Sequence, residues 1–291
     1  MNTTYIRLAA LALLAAVGLA PAQAAQSYDN CTGFIDSVPT VITSQGTWCL
    51  RKDLNTALTG VIAIDIRTSN VTIDCNGFKL GGLAAGPATY STGIYAYGQR
   101  SNITVRNCAI RGFRAGIAIY GNEPGTGHLV EDNRLDHNTV QGIYVIGDGS
   151  VVQRNRVIDT GGAPGSDRAT GIVVLGDLID NVVDGIAGAA DVVDFSPEGM
   201  YSGGVGNIPG IGFVVRGNRV RNLVPKGNRE AVGIGIAGYG MSVRDNVIAQ
   251  YLPTTGKGVY CSTGGMLYGN HILNYSQGMF SCSDGGHNLA F

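Results

Sequence analysis

The chain has 291 residues with 20 Lys and Arg against 21 Asp and Glu, a balance that gives neither a basic patch for nucleic acid nor an acidic tail. Glycine is the outlier at 45 residues, about twice the usual share. It is spread along the chain rather than gathered in a linker, so it serves a feature that recurs.

The N-terminus carries one charge, Arg7, before an apolar run from Leu8 to Leu19, then Pro21 and Ala22-Gln23-Ala24. This order reads as a signal peptide over residues 1–24, cut after Ala24. The apolar run is too short to cross a bilayer, which takes roughly 20 residues, and no second long run follows. Residues 25–291 are therefore expected as one exported domain, secreted or periplasmic, with no membrane insertion; the oligomeric state is not legible. All six cysteines (Cys31, Cys49, Cys75, Cys108, Cys261 and Cys282) lie in this part. An even count in an exported chain favours disulfides, and scattered histidines without a C-x-x-C disfavour a structural zinc site.

From residue 73 onward one phrase recurs: an aliphatic residue, two variable residues, Asn, one variable residue and another apolar residue. It reads Ile73…Asn76…Phe78, Val130…Asn133…Leu135, Val152…Asn155…Val157, Leu178…Asn181…Val183, Val215…Asn218…Val220, Val243…Asn246…Ile248 and Leu267…Asn270…Ile272. Cys108 takes the Asn place in Val105…Cys108…Ile110. The intervals are 32, 25, 22, 26, 37, 28 and 24 residues. A second phrase, Gly-Ile-x-aliphatic, lies between copies at Gly93, Gly116, Gly142, Gly171 and Gly233. Gly and Asn tolerate the left-handed backbone of tight turns, so both phrases read as short strands broken by turns.

An interval of 22 residues holds about three short strands, which makes one coil of a β-solenoid with a continuous aliphatic core. The expected fold is all-β: a single-stranded right-handed parallel β-helix of about nine coils. Asn repeated at one coil position stacks into a ladder of side-chain amides. The register also pairs the cysteines. Cys75 matches Asn107, placing Cys108 one coil on and one residue along; Cys261 and Cys282 have the same offset, leaving Cys31–Cys49 as an N-terminal clasp. Asp74, Arg106 and Glu131 share a column and Asp132, Arg154 and Asp180 the next, in alternating sign, as in cross-strand pairing.

Gly46-Thr47-Trp48-Cys49-Leu50, Asp53-Leu54 and Asn70-Val71-Thr72-Ile73-Asp74-Cys75-Asn76-Gly77 resemble the first coils of the pectate-lyase-like superfamily of right-handed parallel β-helix proteins. The later repeats are similar to that superfamily's generic repeats, and the resemblance covers residues 31–284. It implies the fold and a carbohydrate context. It implies no reaction, because the Asn-Thr-Asp and Gly-His-Gly pair of polygalacturonases and the Asp-Pro-His-Asp of mannuronan epimerases are absent.

Extra residues fall at 81–92, 158–170, 184–210, 221–231 and 249–257, where they wall a groove on one side of a solenoid. The next strand supplies its floor. Its outward columns are expected as Tyr95, Ala118, Tyr144 and Val173, and Tyr97, Tyr120, Ile146 and Leu175. Tyrosines on an exposed sheet stack against sugar rings; alternatively the 184–210 loop or another subunit covers them. Asp136, His137, Asp159 and Asp184, with Arg168, Lys226 and Arg229 on the loops, are the polar candidates. His137 as base with Arg168 or Arg229 as cation suits proton abstraction beside a uronate carboxyl, and Lys226 suits substrate binding. Asp148 and Asp177 follow equivalent glycines and are expected in successive coils, either holding a cation such as Ca²⁺ or splayed into solvent. Two functions remain open: an enzyme of lyase, epimerase or hydrolase type or a binding module working on polysaccharide in the groove, and a non-catalytic surface scaffold.

Overall fold

Aliphatic side chains spaced one coil apart stack into a continuous core. Ile64, Ile94, Ile117, Ile143, Ile172, Met200, Ile234 and Val259 are in register from coil to coil, and none is exposed to solvent. The computed structural model describes residues 28–120, 125–204 and 210–291; the predicted leader, residues 1–24, lies outside the described residues. Within Cys31–Phe291 the chain winds as a parallel β-solenoid of about nine turns.

Each full coil contributes to three sheets. The first, called the floor below, contains Ile62–Ile66, Thr92–Tyr97, Ala115–Tyr120, the starts of Gln141–Gln153 and Arg168–Ile179, then Ser196–Gly203, Ala231–Ala237 and the end of Val247–Cys261. The second runs through Val71–Asp74, Ile103–Arg106, Leu129–Glu131, Val214–Arg216 and Met241–Arg244. The third runs through Lys79–Gly81, Ala109–Arg111, Arg134–Asp136, Arg156–Gly161, Val182–Ala187 and Arg219–Val224. Pairing within each sheet is parallel. Among the described residues the one helical element is a 3-10 turn, Leu83–Ala85.

The Asn phrase marks the turn from the second sheet to the third. Asn133, Asn155, Asn181, Asn218, Asn246 and Asn270 are all buried. In each of the first five, the backbone N–H and the Nδ2 both donate to the Oδ1 of the Asn one coil on. For Asn155 these distances to Asn181 are 2.9 and 3.1 Å. A further Nδ2 bond reaches a backbone carbonyl of the previous coil, 2.8 Å to Val130 in the case of Asn155. Cys108 opens the ladder by donating its N–H to Asn133, and Asn288 extends it beyond Asn270. The residue before each Asn takes the left-handed conformation: Asp132, Arg154, Asp180, Gly217, Asp245 and Gly269. The first copy departs from this pattern. Asp74 pairs with Arg106 and Lys79 with Ala109, so this turn holds two extra residues. Asn76 is itself left-handed at φ 49° and donates to the Leu50 carbonyl, outside the ladder.

Glycine in the Gly-Ile phrase has a different role from the one expected. Gly142 lies in a strand with no positive φ. A Cβ there would come 2.5 Å from the Gly171 carbonyl oxygen and 2.5 Å from Val157, so the next coil leaves no room for one.

The disulfides Cys75–Cys108 and Cys261–Cys282 are present as the register required, and Cys31–Cys49 is present as the remaining pair. Arg106 pairs with Asp74 at 2.8 Å, and Arg154 with Asp132 at 2.8 Å and Glu131 at 2.6 Å. Non-reducing peptide mapping is expected to recover these three disulfides; a Cys75–Cys261 peptide contradicts the register. Replacing Asn155 by Leu strands the partners of its amide and costs about 1–3 kcal/mol per unpaired group. Gln153→Ala, two residues earlier on the outward side, loses one partly buried bond to Glu131 at 2.9 Å and costs less, about 1 kcal/mol. Chemical denaturation of both variants checks the difference.

Candidate functional site

The floor sheet turns two side-chain columns outward. One is Asp65, Tyr95, Ala118, Tyr144, Val173, Tyr201, Gly235, Tyr260 and Phe280. The other lies towards the start of the strands: Thr92, Ala115, Gln141, Thr170, Glu198, Val232, Lys257 and Gln277. Rungs about 4.8 Å apart bring aromatic rings on neighbouring coils into contact. Tyr120 meets Tyr95, Tyr97 and Tyr144 edge-on, with centroids 5.7, 5.9 and 5.5 Å away, and Tyr95 stacks parallel to Tyr97. Tyr97 and Tyr120 are exposed, and Tyr95, Tyr144, Tyr201 and Tyr260 are partly so. Burial pushes the Tyr95 phenol up to about 12, with Tyr120 adding to it, and raises Tyr144 and Tyr201. These hydroxyls stay protonated at neutral pH, and that of Tyr201 donates to the Gly204 carbonyl at 2.8 Å.

The row is longer than the sequence suggested at one end and shorter at the other. The expected 184–210 loop contains Ser196–Gly203, which pairs with both Arg168–Ile179 and Ala231–Ala237 and adds Tyr201 to the floor. That strand is part of the floor, so it does not fold back over it as a cover. Ile146 and Leu175, expected on the outward face, are buried in the core, because the register shifts after Val145.

The same shift separates the proposed cation ligands. Asp177 lies opposite Val151 rather than Asp148 and accepts the Val214 N–H at 2.8 Å, while Asp148 bridges to Thr126. Among the described residues no three His, Cys, Asp or Glu side chains converge as a metal site.

Several expected catalytic groups lie together at the turn that leads from the third sheet towards the floor. Asp136 is buried, bonded by Arg111 at 2.9 Å and by His137 Nδ1 at 2.9 Å. His137 and Asp159, both exposed and left-handed, line a cleft of about 220 Å³ with Thr139, Gly112 and Pro87. Asp184 is bonded to Arg221 at 2.7 Å and Asn222 at 2.6 Å, a structural pairing. Lys226 is committed as well: its Nζ donates to the Ala189 carbonyl and its backbone pairs with Phe195. Arg229 is exposed on the same loop. Arg168 is exposed at the start of a floor strand, opposite Ser196.

Glu198, absent from the sequence reading, is the carboxyl set into the floor itself. It is partly buried, and among the described residues it has no hydrogen bond or ion pair. A Cβ on Gly235 would come 2.7 Å from Glu198 Oε1 and 3.1 Å from the Tyr201 ring. The carboxyl thus covers the gap that Gly235 leaves between Tyr201 and Tyr260. Burial pushes it up to about 7, with Arg168 pulling in the opposite direction. Further along, Lys257 pairs with Glu230 and lies over the Tyr260 and Phe280 rings at 5.9 and 5.1 Å.

The profile of the family described as "Right handed beta helix region" matches residues 42–196. No curated protein matches the chain. Among solved structures, the A-module of the Azotobacter vinelandii mannuronan C-5 epimerase AlgE6 is similar at 13% identity over 89% of this chain and 88% of the module, with a TM-score of 0.48. The corresponding AlgE4 module has 12% identity over 89% of this chain and 88% of its own, with a TM-score of 0.44. The Dettilon tailspike protein gp208 has 13% identity over 88% of this chain, which spans 58% of the tailspike chain, with a TM-score of 0.48. With its aliphatic stack, its asparagine ladder and more than half its length covered by the family profile, the chain belongs to the right-handed β-helix family.

Proposed function

We propose that this protein is exported and binds a polysaccharide along the tyrosine floor. One observation carries the reading: the floor column presents Tyr95, Tyr144, Tyr201 and Tyr260 on one face, with Tyr97 and Tyr120 packed beside them. Such a face offers repeated apolar rings edged by hydroxyl donors, which suits the alternating apolar faces and hydroxyls of sugar residues. The neighbouring Thr92, Gln141 and Thr170 add neutral hydrogen-bonding groups. Export rests on the sequence of residues 1–24 and fits a chain with three disulfides. His137, Asp159 and Arg168, at the edge of the floor, are retained as contacts to the bound chain.

Affinity electrophoresis through gels containing a panel of neutral and uronate polysaccharides tests the reading. The wild-type protein is expected to be retarded by at least one glycan. Tyr120→Ala removes the ring that touches three others and weakens retardation several-fold, at about 0.5–1.5 kcal/mol per aromatic contact. Tyr268→Ala, an exposed tyrosine of the second sheet, leaves it unchanged. Equal effects from the two substitutions contradict the floor as the binding face.

A further inference from the structure

We propose that Glu198 is a catalytic residue, the proton donor of a glycoside-hydrolysing site acting on a neutral polysaccharide held on the tyrosine floor. The proposal rests on glycan binding by that floor and adds a reaction and a substrate class to it.

The geometry distinguishes Glu198 from the other acids of the groove. Asp136 and Asp184 are held by arginines, and Glu230 is paired with Lys257. Glu198 is bonded to none of the described residues, and its Oε1 lies against Gly235. Gly235 removes one side chain from the aromatic column, and the carboxyl fills that place between the rungs of Tyr201 and Tyr260. A sugar lying along the tyrosines passes over this carboxyl. The groups that face or flank it are Arg168, exposed at the strand start, the phenols of Tyr201, Tyr260 and Tyr144, and Lys257 two rungs along. Its acid form persists towards neutral pH because the aromatic surroundings withhold water from the charged form. That is the state a general acid needs near its working pH.

The substrate class follows from the same surroundings. Asp167 lies beside Arg168 at 3.6 Å and Glu230 pairs with Lys257, and the remaining polar groups of its column, Thr92, Gln141, Thr170 and Gln277, are uncharged. An ionised polyuronate would meet no surplus of positive charge here, whereas hydroxyls of a neutral chain meet hydroxyl and amide partners. In the reaction the Glu198 carboxyl gives its proton to the glycosidic oxygen. The C1–O bond breaks with its electron pair going to that oxygen, and a water oxygen bonds to C1. The proton lost by that water passes to solvent, from which Glu198 is reprotonated, so the net change is addition of one water across the bond.

The test compares wild type, Glu198→Gln and Gly235→Ala on a panel of neutral polysaccharides and polyuronates, scoring gel retardation and released reducing ends between pH 4 and 9. Expected is release from a neutral glycan, falling about tenfold per pH unit above pH 7. Glu198→Gln lowers release by about 10²-fold or more, and Gly235→Ala, whose Cβ displaces the carboxyl, lowers it as well. A second readout needs no substrate. Because the folded carboxyl titrates above its ordinary value of 4.5, its contribution to stability is full below pH 4.5 and is lost as pH rises through about 7. Wild type shows this loss in denaturation, and Glu198→Gln does not. Retardation by a neutral glycan without release, release that survives Glu198→Gln, or release from polyuronates alone overturns the proposal while leaving glycan binding intact. Absence of retardation by every glycan overturns both.

Discussion

An amide side chain sealed inside a turn has no water to bond, so its neighbours in the stack must satisfy it, and from Asn133 to Asn270 this requirement registers each coil on the next. From Asn155 to Asn270 each Oδ1 accepts both the backbone N–H and the Nδ2 of the preceding Asn. The first column of Asn residues is thus a continuous hydrogen-bonded rod beside the aliphatic core. Slipping one coil by one residue would break two such bonds at each interface and leave buried polar atoms unpaired, a cost of about 1–3 kcal/mol per group.

Register at the turn becomes alignment on the floor. Because the strands of the floor follow coil by coil, Ile94 stacks on Ile117 and Ile143 inside, while Tyr95, Tyr144 and Tyr201 are kept in one line outside. The glycines before the inward residues let adjacent coils approach to within a distance that no Cβ tolerates. The same close approach explains how the loss of one outward side chain, at Gly235, gives a carboxyl on the neighbouring column a seat among aromatic rings.

Much of this was legible in the sequence, and the failures have physical causes. The Asn phrase keeps its apolar offsets because both flanking strands contribute to one core, so the ladder from Cys108 to Asn270, the disulfides Cys75–Cys108 and Cys261–Cys282 and the charge columns all followed from counting, with Cys31–Cys49 left as the remaining pair. Counting fails where a turn gains residues without altering the phrase. Asn76 preserves the wording while its turn is two residues longer, and the shift after Val145 buries Ile146 and moves Asp177 away from Asp148. Ser196–Gly203 escaped notice because Met200 stands where other coils have Ile. Glu198 carries no signal of its own: an isolated Glu after Pro197 reads as a loop charge. Only the pairing that sets it beside Gly235 gives it a role. The cleft at His137 and Asp159 was half legible, since both residues were expected beside the floor, but the left-handed turn that presents them was not.

Backbone amide hydrogen exchange along the ladder tests the central claim most directly. The N–H groups of Asn133, Asn155, Asn181, Asn218 and Asn246 donate to side-chain oxygens buried one coil away. They are expected to exchange as slowly as the N–H groups of core strand residues such as Ile143 and Ile172, approaching the limit set by global unfolding. Exchange of these five amides at the rate of exposed turn residues would mean that the asparagine stack is not formed, and the register built on it would fall.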